Sequence, residues 1–363
     1  MEFIDLKQQY QQLKAQIDRN IQTVLEHGKF IMGPEVAQVE TALSEFCGAR
    51  YCITTASGTD ALLLALMSTG IKPGDEVITT PFSFFATAEV ISLLGAIPVF
   101  VDVEPDTLNI DPQRIVPAIT PKTKAIMPVS LYGQCADFST INKIAEHYQL
   151  SVIEDGAQSF GATQHGKKSC NLSSIGCTSF FPSKPLGCYG DGGALFTNDE
   201  RIAESVKSLR IHGQTTRYIH DAVGINGRMD TLQAAILLAK LTIFPEEVSA
   251  RMEIGGRYTQ LINSKRNTHE ITPTCIKAEN TSVFAQYTIQ TEQRDTIKQK
   301  LESKGVPTAI HYPKPIHLQT PYLELKATCP EAEKAAERVI SLPMHPYLTR
   351  EQQEEIVDIL FSP

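Results

Sequence analysis

The sequence predicts an α/β protein, with a large layered domain over residues 1–245 and a smaller α+β domain over residues 246–363. Two observations lead there. Between residues 51 and 154, short apolar runs alternate with longer amphipathic ones, the pattern of parallel strands joined by crossover helices. After Pro245 that rhythm gives way to a long helical stretch and more widely spaced strands. At 363 residues the chain is also long for a single hydrophobic core, which favours two domains or one large domain with an appendage.

Leu6, Tyr10, Leu13, Ile17, Ile21 and Leu25 recur every three or four positions, so the first 27 residues read as an amphipathic helix that Gly28 stops. Residues 35–46 repeat the pattern, and Tyr51-Cys52-Ile53-Thr54-Thr55 reads as a strand. The alternation then runs helix 59–69, strand 76–79, helix 85–94, strand 97–101, helix 111–118, strand 124–129, helix 137–148 and strand 151–154. Strands at 175–181 and 193–197 and a helix at 230–240 complete the large domain. The smaller domain reads as helix 246–263, strand 283–290, helix 293–304, strand 306–311 and helices at 330–339 and 349–360. The first helix is expected to pack against this smaller domain or beside the large one.

A net charge of −8 argues against a general nucleic-acid binder, because phosphate backbones require a basic face. Any anionic ligand must then be met by local donors. The longest apolar run, Ala61 to Met67, is far short of the roughly 20 residues that cross a bilayer, so no membrane span is expected. Met1-Glu2-Phe3-Ile4-Asp5 lacks the basic start of a secretory signal, and a cytoplasmic location is expected. The eight cysteines form no C-x-x-C pair and have no histidines at zinc-site spacing, so they read as free thiols, and no metal is expected.

Ser57-Gly58-Thr59-Asp60 follows a strand and opens a helix. Free N–H groups, two hydroxyls and the positive end of the helix make an anion cradle, though the same residues would also serve as an ordinary cap. In Val152-Ile153-Glu154-Asp155-Gly156-Ala157-Gln158 an acid stands just past a buried strand, where open α/β sheets build ligand sites. A buried carboxylate needs a cation, and a protonated ring nitrogen would serve; capping the next turn is the other use open to it. Lys184 sits between two prolines in the run FFPSKPLGCYGDGG. A lysine there is either a solvated loop charge or, if a low-dielectric pocket lowers its pKa, a Schiff-base nucleophile. The glycines after it do not link a first strand to a helix, which removes the dinucleotide-binding reading. Taken together, an anion cradle, the aromatic run Pro81-Phe82-Ser83-Phe84-Phe85, a strand-end acid and a held lysine match what pyridoxal 5′-phosphate requires: phosphate donors, a stacking face, a counter-ion and an amine.

With those residues in view, the chain resembles the DegT/StrS-type sugar aminotransferases, a branch of the fold-type I pyridoxal-phosphate enzymes. The resemblance runs from GKFIMGPEV through SGTDAL, TPFSFFAT, PVSLYGQCADF, VIEDGAQSFGA, TSFFPSKPLGCYGDGGALFTND and NGRMDTLQAAIL to HYP and SLPMHPYL. It implies a mainly parallel seven-stranded sheet between helices, and a homodimer with composite sites. Lys184 would hold the cofactor and move the proton, Asp155 would pair with the ring nitrogen, Gln158 would lie by the phenolic oxygen and Phe84 would stack on the ring. Gly58, Thr59 and Ser179 would hold the phosphate, with Asn226 reaching it from the neighbouring subunit. Arg228 is the candidate for a substrate carboxylate, His311 and Tyr312 for sugar contacts, and Lys29 for the diphosphate; a surface salt bridge, a packed aromatic pair and a solvated charge are their respective alternatives. Within the family the likeness is nearest to enzymes that use L-glutamate, leaving 2-oxoglutarate, to aminate the 3-keto group of UDP-2-acetamido-2-deoxy-ribo-hex-3-uluronic acid. A 3-keto- or 4-keto-6-deoxy nucleotide sugar is the alternative. Some relatives carry histidine in place of the lysine and remove a hydroxyl; Lys184 favours transfer.

Overall fold

The computed structural model describes residues 1–265 and 270–362. Helices α1 (Leu6–His27) and α2 (Pro34–Cys47) each stop on a glycine in the left-handed region, Gly28 at φ 69° and Gly48 at φ 76°. A side chain would be strained there, so glycine lets the chain leave the helix. Then β1 (Tyr51–Thr55), α3 (Gly58–Ser68), β2 (Glu76–Thr79), α4 (Ala86–Leu93), β3 (Ile97–Phe100), α5 (Ile115–Ala118), β4 (Thr123–Met127), α6 (Phe138–Tyr148) and β5 (Ser151–Asp155) alternate. A short hairpin, β6 (Thr163–Gln164) with β7 (Lys167–Lys168), precedes β8 (Ile175–Ser179) and β9 (Gly193–Thr197). Next come α7 (Glu200–Leu209), a second hairpin of β10 (Gln214–Thr216) and β11 (Ile219–His220), α8 (Thr231–Leu241) and α9 (Phe244–Ser264). The remainder is β12 (Thr272–Pro273), β13 (Tyr287–Gln290), α10 (Arg294–Ser303), α11 (Pro330–Arg338), β14 (Val339–Leu342) and α12 (Arg350–Phe361).

Seven strands form one sheet in the order β1, β9, β8, β5, β4, β2, β3. Pairing is parallel from β8 to β3 and antiparallel on both sides of β9. Since β9 runs against both β1 and β8, those two point the same way as β5, and their C-terminal ends share one edge. Ile53, Ile153, Ile175 and Leu195 pack on the apolar side of α3, whose Leu62, Leu64 and Leu66 are buried with them. A separate cluster, built on Tyr258, Tyr287, Ile289, Ile340 and Ile356, fills the space around the three-stranded sheet of β12, β13 and β14. Helix α9 links the two, with Phe244 in an aromatic cluster of the large sheet and Ile262 in the smaller one. Pro245 lies in its first turn, where a missing N–H costs no hydrogen bond. Helix α1 packs on α8 through Leu13, Ile17, Ile236 and Ala239.

Three expectations differ. The helix at 111–118 is a 3-10 turn, Pro112–Arg114, leading into the four-residue α5, because Pro117 lacks the amide donor that an uninterrupted helix would use there. Residues 306–311 form no strand. Ala309 alone bridges to Ser341, and Pro307 withholds the N–H a ladder would use. The strand at 283–290 contracts to Tyr287–Gln290 and gains a partner in β14, whose first residue, Val339, closes the helix expected at 330–339. No helix among the described residues is long and apolar enough to cross a membrane.

Candidate active site

The shared C-terminal edge of β1, β5 and β8 collects the polar residues. Thr55 and Ser179 both stand opposite Gly193 in the ladder, so the turn after β1 lies beside the end of β8. Closeness here depends on glycine. A Cβ on Gly193 would fall 2.4 Å from the Ser57 carbonyl oxygen, and one on Gly58 would fall 2.6 Å from the Ser179 Cβ. Ser57 caps α3 by accepting from the Asp60 N–H at 3.0 Å, and Gly58 opens the helix. Gly58 and Thr59, the first residues of α3, thus line one cavity of about 510 Å³ together with Ser179, and the start of a helix supplies free N–H groups for an anion there.

Asp155 ends β5, buried in the same cavity. The Thr87 hydroxyl donates to its Oδ2 at 2.8 Å and the Ala157 N–H to its Oδ1 at 3.2 Å. Burial pushes its carboxyl above the usual range, while those two donors and the nearby Lys184 charge pull it back. The side chain before it, Glu154, alternates to the other face of the sheet. There Ser169 Oγ (2.6 Å), the Cys170 N–H (2.8 Å) and Ser130 Oγ (3.3 Å) donate to it, and burial raises its pKa to about 7.

Lys184 rides on a turn held from below. Phe180 is fully buried edge-on against Phe160 at 6.0 Å, which stabilises the start of the turn by roughly 1.5–3 kcal/mol. The Lys184 N–H donates to the Phe181 carbonyl at 2.8 Å, and Gly187 backs so closely onto the turn that a Cβ would lie 2.6 Å from the Pro182 oxygen. Beneath it Lys240, fully buried in α8, donates to the Gly187 carbonyl at 2.6 Å and sits 4.3 Å from the Tyr189 ring centre. Burial lowers the Lys184 ammonium below the ordinary lysine range, with Asp155 opposing. That is the direction a nucleophilic or basic amine requires.

The opposite wall comes from the segment after α10. Tyr312 accepts from Gln158 Nε2 at 3.1 Å, and Gln158 Oε1 in turn accepts the Tyr132 N–H at 2.9 Å. The Tyr132 hydroxyl donates to the His311 carbonyl. Phe84 stands 6.5 Å from Tyr312, ring centre to ring centre, and keeps 59% of its surface exposed, an apolar face open to a planar ligand. His311 is pushed toward neutrality by burial and then by the Lys184 charge.

Of the sequence-selected residues, Gly58, Thr59, Phe84, Asp155, Gln158, Ser179, Lys184, His311 and Tyr312 line this one cavity. Asn226 and Arg228 do not. They line an adjoining cavity of about 560 Å³ that shares Ser57 and Asp191 with the first, and Arg228 Nη2 donates to Asn226 Oδ1 at 2.7 Å. Two backbone bonds fix them there, Gly227 N–H to the Arg210 carbonyl and Ala56 N–H to the Gly227 carbonyl, both 2.9 Å. Lys29 is exposed and lines neither cavity. Sequence reasoning passed over Thr87, Ser183 and Gln286, which line the first cavity. Thr87 was within reach, three residues past Phe84 in the aromatic run; nothing local marks Gln286.

A profile of the DegT/DnrJ/EryC1/StrS aminotransferase family matches residues 11–361. The chain is 55% identical over 348 residues to the UDP-2-acetamido-2-deoxy-3-oxo-D-glucuronate aminotransferase of Pseudomonas aeruginosa, covering 96% of each. Its structure resembles a DegT DnrJ EryC1 StrS aminotransferase from Brucella abortus, with TM-score 0.95 and 42% identity over 99% of this chain and 98% of that one. It also resembles the ntda protein of Bacillus subtilis, solved with bound cofactor PMP, with TM-score 0.91 and 35% identity over 99% of this chain and 82% of that one.

Proposed function

The chain belongs to the DegT/DnrJ/EryC1/StrS aminotransferase family, and from that premise we propose that it moves the amino group of L-glutamate onto the 3-keto group of UDP-2-acetamido-2-deoxy-ribo-hex-3-uluronic acid. It is a pyridoxal-phosphate-dependent aminotransferase with the fold-type I architecture. The observation that carries the reading is the joining, in one cavity, of a lysine with lowered pKa, a buried strand-end carboxyl and a glycine-opened helix terminus. The choice of sugar rests on the 55% identical relative. The product would be UDP-2-acetamido-3-amino-2,3-dideoxy-glucuronic acid, a building block for surface polysaccharide of the O-antigen type in lipopolysaccharide, made in the cytoplasm.

The residues present fit the cofactor. Gly58 leaves a cradle that a Cβ would fill, and Asp155 is a buried carboxyl hydrogen-bonded by one hydroxyl and one N–H, with Lys184 acting on it only from a distance, so a protonated ring nitrogen would supply a cation in direct contact. Bound there, pyridoxal phosphate supplies an aldehyde that takes up the amino group and a ring that stores the electron pair left when a C–H proton departs. Gly58, Thr59 and Ser179 would hold its phosphate, Gln158 its phenolic oxygen and Phe84 one ring face. Lys184 Nζ anchors the resting site, then removes the α-proton of glutamate and returns a proton to the sugar C3 in the second half-reaction. Neutral before it takes a proton and cationic until it gives one up, the amine can serve as both base and acid only with a pKa near ambient pH, the direction in which burial moves it.

Asn226 and Arg228 act, in this reading, from a second copy of the chain: Asn226 on the phosphate and Arg228 on the substrate carboxylate, where a guanidinium fork matches two oxygens. His311 and Tyr312 contact the sugar, and Lys29 the diphosphate. The boundary between a large cofactor-binding domain (1–245) and a smaller one (246–363) belongs to the same proposal, supported by the separate hydrophobic cluster around β13.

One observation favours a second reading. Arg228 lies outside the Lys184 cavity, engaged with Asn226, which suits an uncharged 3-keto- or 4-keto-6-deoxy nucleotide sugar as well as a uronate. Purified protein supplied with glutamate and two UDP-linked 3-ketones, one with a carboxylate at C6 and one with an alcohol, separates them by product mass. The uronate should win by at least about tenfold in kcat/KM, the worth of one charge-assisted contact. Equal use, or preference for the alcohol, would transfer the assignment to the uncharged sugar.

A further inference from the structure

The cavity around Lys184 has a polar lining residue that the chemistry above leaves idle, Gln286. Its amide oxygen is shut off from solvent and has no hydrogen-bond partner among the described residues. A buried acceptor left unpaired is costly, so nothing holds this amide in one of its two orientations, and the end of it that faces the cavity is open to a ligand. The backbone that carries it is clamped. The Val283 N–H donates to the Gly133 carbonyl at 3.0 Å, the Phe284 N–H to Ser282 Oγ at 3.0 Å, and Arg251 Nη1 to the Phe284 carbonyl at 3.2 Å. Gly133, at φ 110°, approaches so closely that a Cβ there would lie 2.5 Å from the Phe284 nitrogen. The next residue enters β13. Segment and strand are therefore fixed, while a half-turn about the last side-chain bond exchanges the oxygen and nitrogen of Gln286 at little cost.

We propose that Gln286 reads the 2-acetamido substituent of the sugar, donating to its carbonyl through Nε2 or, after that half-turn, accepting its N–H through Oε1. The inference rests on the keto-sugar reading above. The chemistry selects this part of the substrate. Carboxylate and diphosphate oxygens are held best by cations, whereas a neutral side-chain amide complements a neutral amide, donor to acceptor in both senses. His311 and Tyr312, on the same cavity, remain available for hydroxyls.

Gln286→Met keeps the length of the side chain and removes both polar ends; Gln286→Glu keeps its shape and removes the donor. Each is compared with wild type for kcat/KM on the 2-acetamido 3-ketone and on its 2-hydroxy counterpart, with cofactor absorbance checked for equal loading. Calorimetry adds the affinity for the 2-acetamido amine product. The Met variant should lose roughly 10- to 100-fold on the acetamido substrate and product, and less than about threefold on the 2-hydroxy ketone. Gln286→Glu should fall between Met and wild type in selectivity. Equal losses on both sugars, or no loss on either, would overturn the assignment to the acetamido group. Wild-type enzyme that aminates neither ketone would instead overturn the keto-sugar reading, and this inference with it.

Discussion

Glu154 and Asp155 are consecutive acids with opposite surroundings, and alternation along a strand is the reason. Asp155 faces the cavity, where a hydroxyl, an N–H and the Lys184 charge moderate its burial. Glu154 faces the core under three donors, and burial still carries it from 4.5 to about 7. Between those two pH values the folded protein holds a proton on Glu154 that the unfolded chain has released, so this residue makes stability fall as pH rises through the window. The size of the effect is about 3 kcal/mol. Glu154→Gln cannot titrate, so its unfolding free energy in denaturant should decline less than that of wild type between about pH 4.5 and pH 7. Matching slopes would mean that Glu154 is ionised throughout.

At the scale of elements, the junction of α3 with β8 and β9 sets the proposed phosphate cradle. Gly58→Ala would gain up to about 1 kcal/mol of helix propensity. It would also drive a methyl to 2.6 Å from the Ser179 Cβ, and contacts that short are not tolerated in a packed interior. The clash should win: cofactor titration should show affinity down at least about tenfold, with a lowered Tm. Unchanged affinity would detach the cradle from the phosphate. Much of this edge was readable in advance. Strands and helices through Asp155, the stretch at 111–118 apart, follow apolar periodicity, and Ser57, Asp155 and Lys184 stand where chain direction changes, marked by glycine and proline. What stayed hidden depends on partners distant in sequence. Val339–Leu342 becomes a strand because Tyr287–Gln290 lies alongside it, and Lys240, an ordinary helix lysine in sequence, is buried because the Gly187 carbonyl needs a donor. Gln286 stands out only once the cavity is assembled.

For the whole molecule, the sequence motif containing Asn226 and Arg228 is present but displaced from the Lys184 cavity, and a second copy of the chain is the proposed remedy. If the sites are composite, two inactive variants, Lys184→Ala and Asn226→Ala, should recover activity when dissociated and mixed, since one site of each mixed dimer would be intact. Persistent inactivity of the mixture would argue for self-sufficient chains. The central claim, that Lys184 relays a proton while the cofactor stores the amino group, is tested most directly in half of the reaction. Protein loaded with pyridoxamine 5′-phosphate and cleared of every amino donor should convert a single equivalent of the 3-keto uronate to its amine and then stop, and Lys184→Ala loaded in the same way should not. Failure to form amine without glutamate, or an undiminished rate in Lys184→Ala, would contradict it.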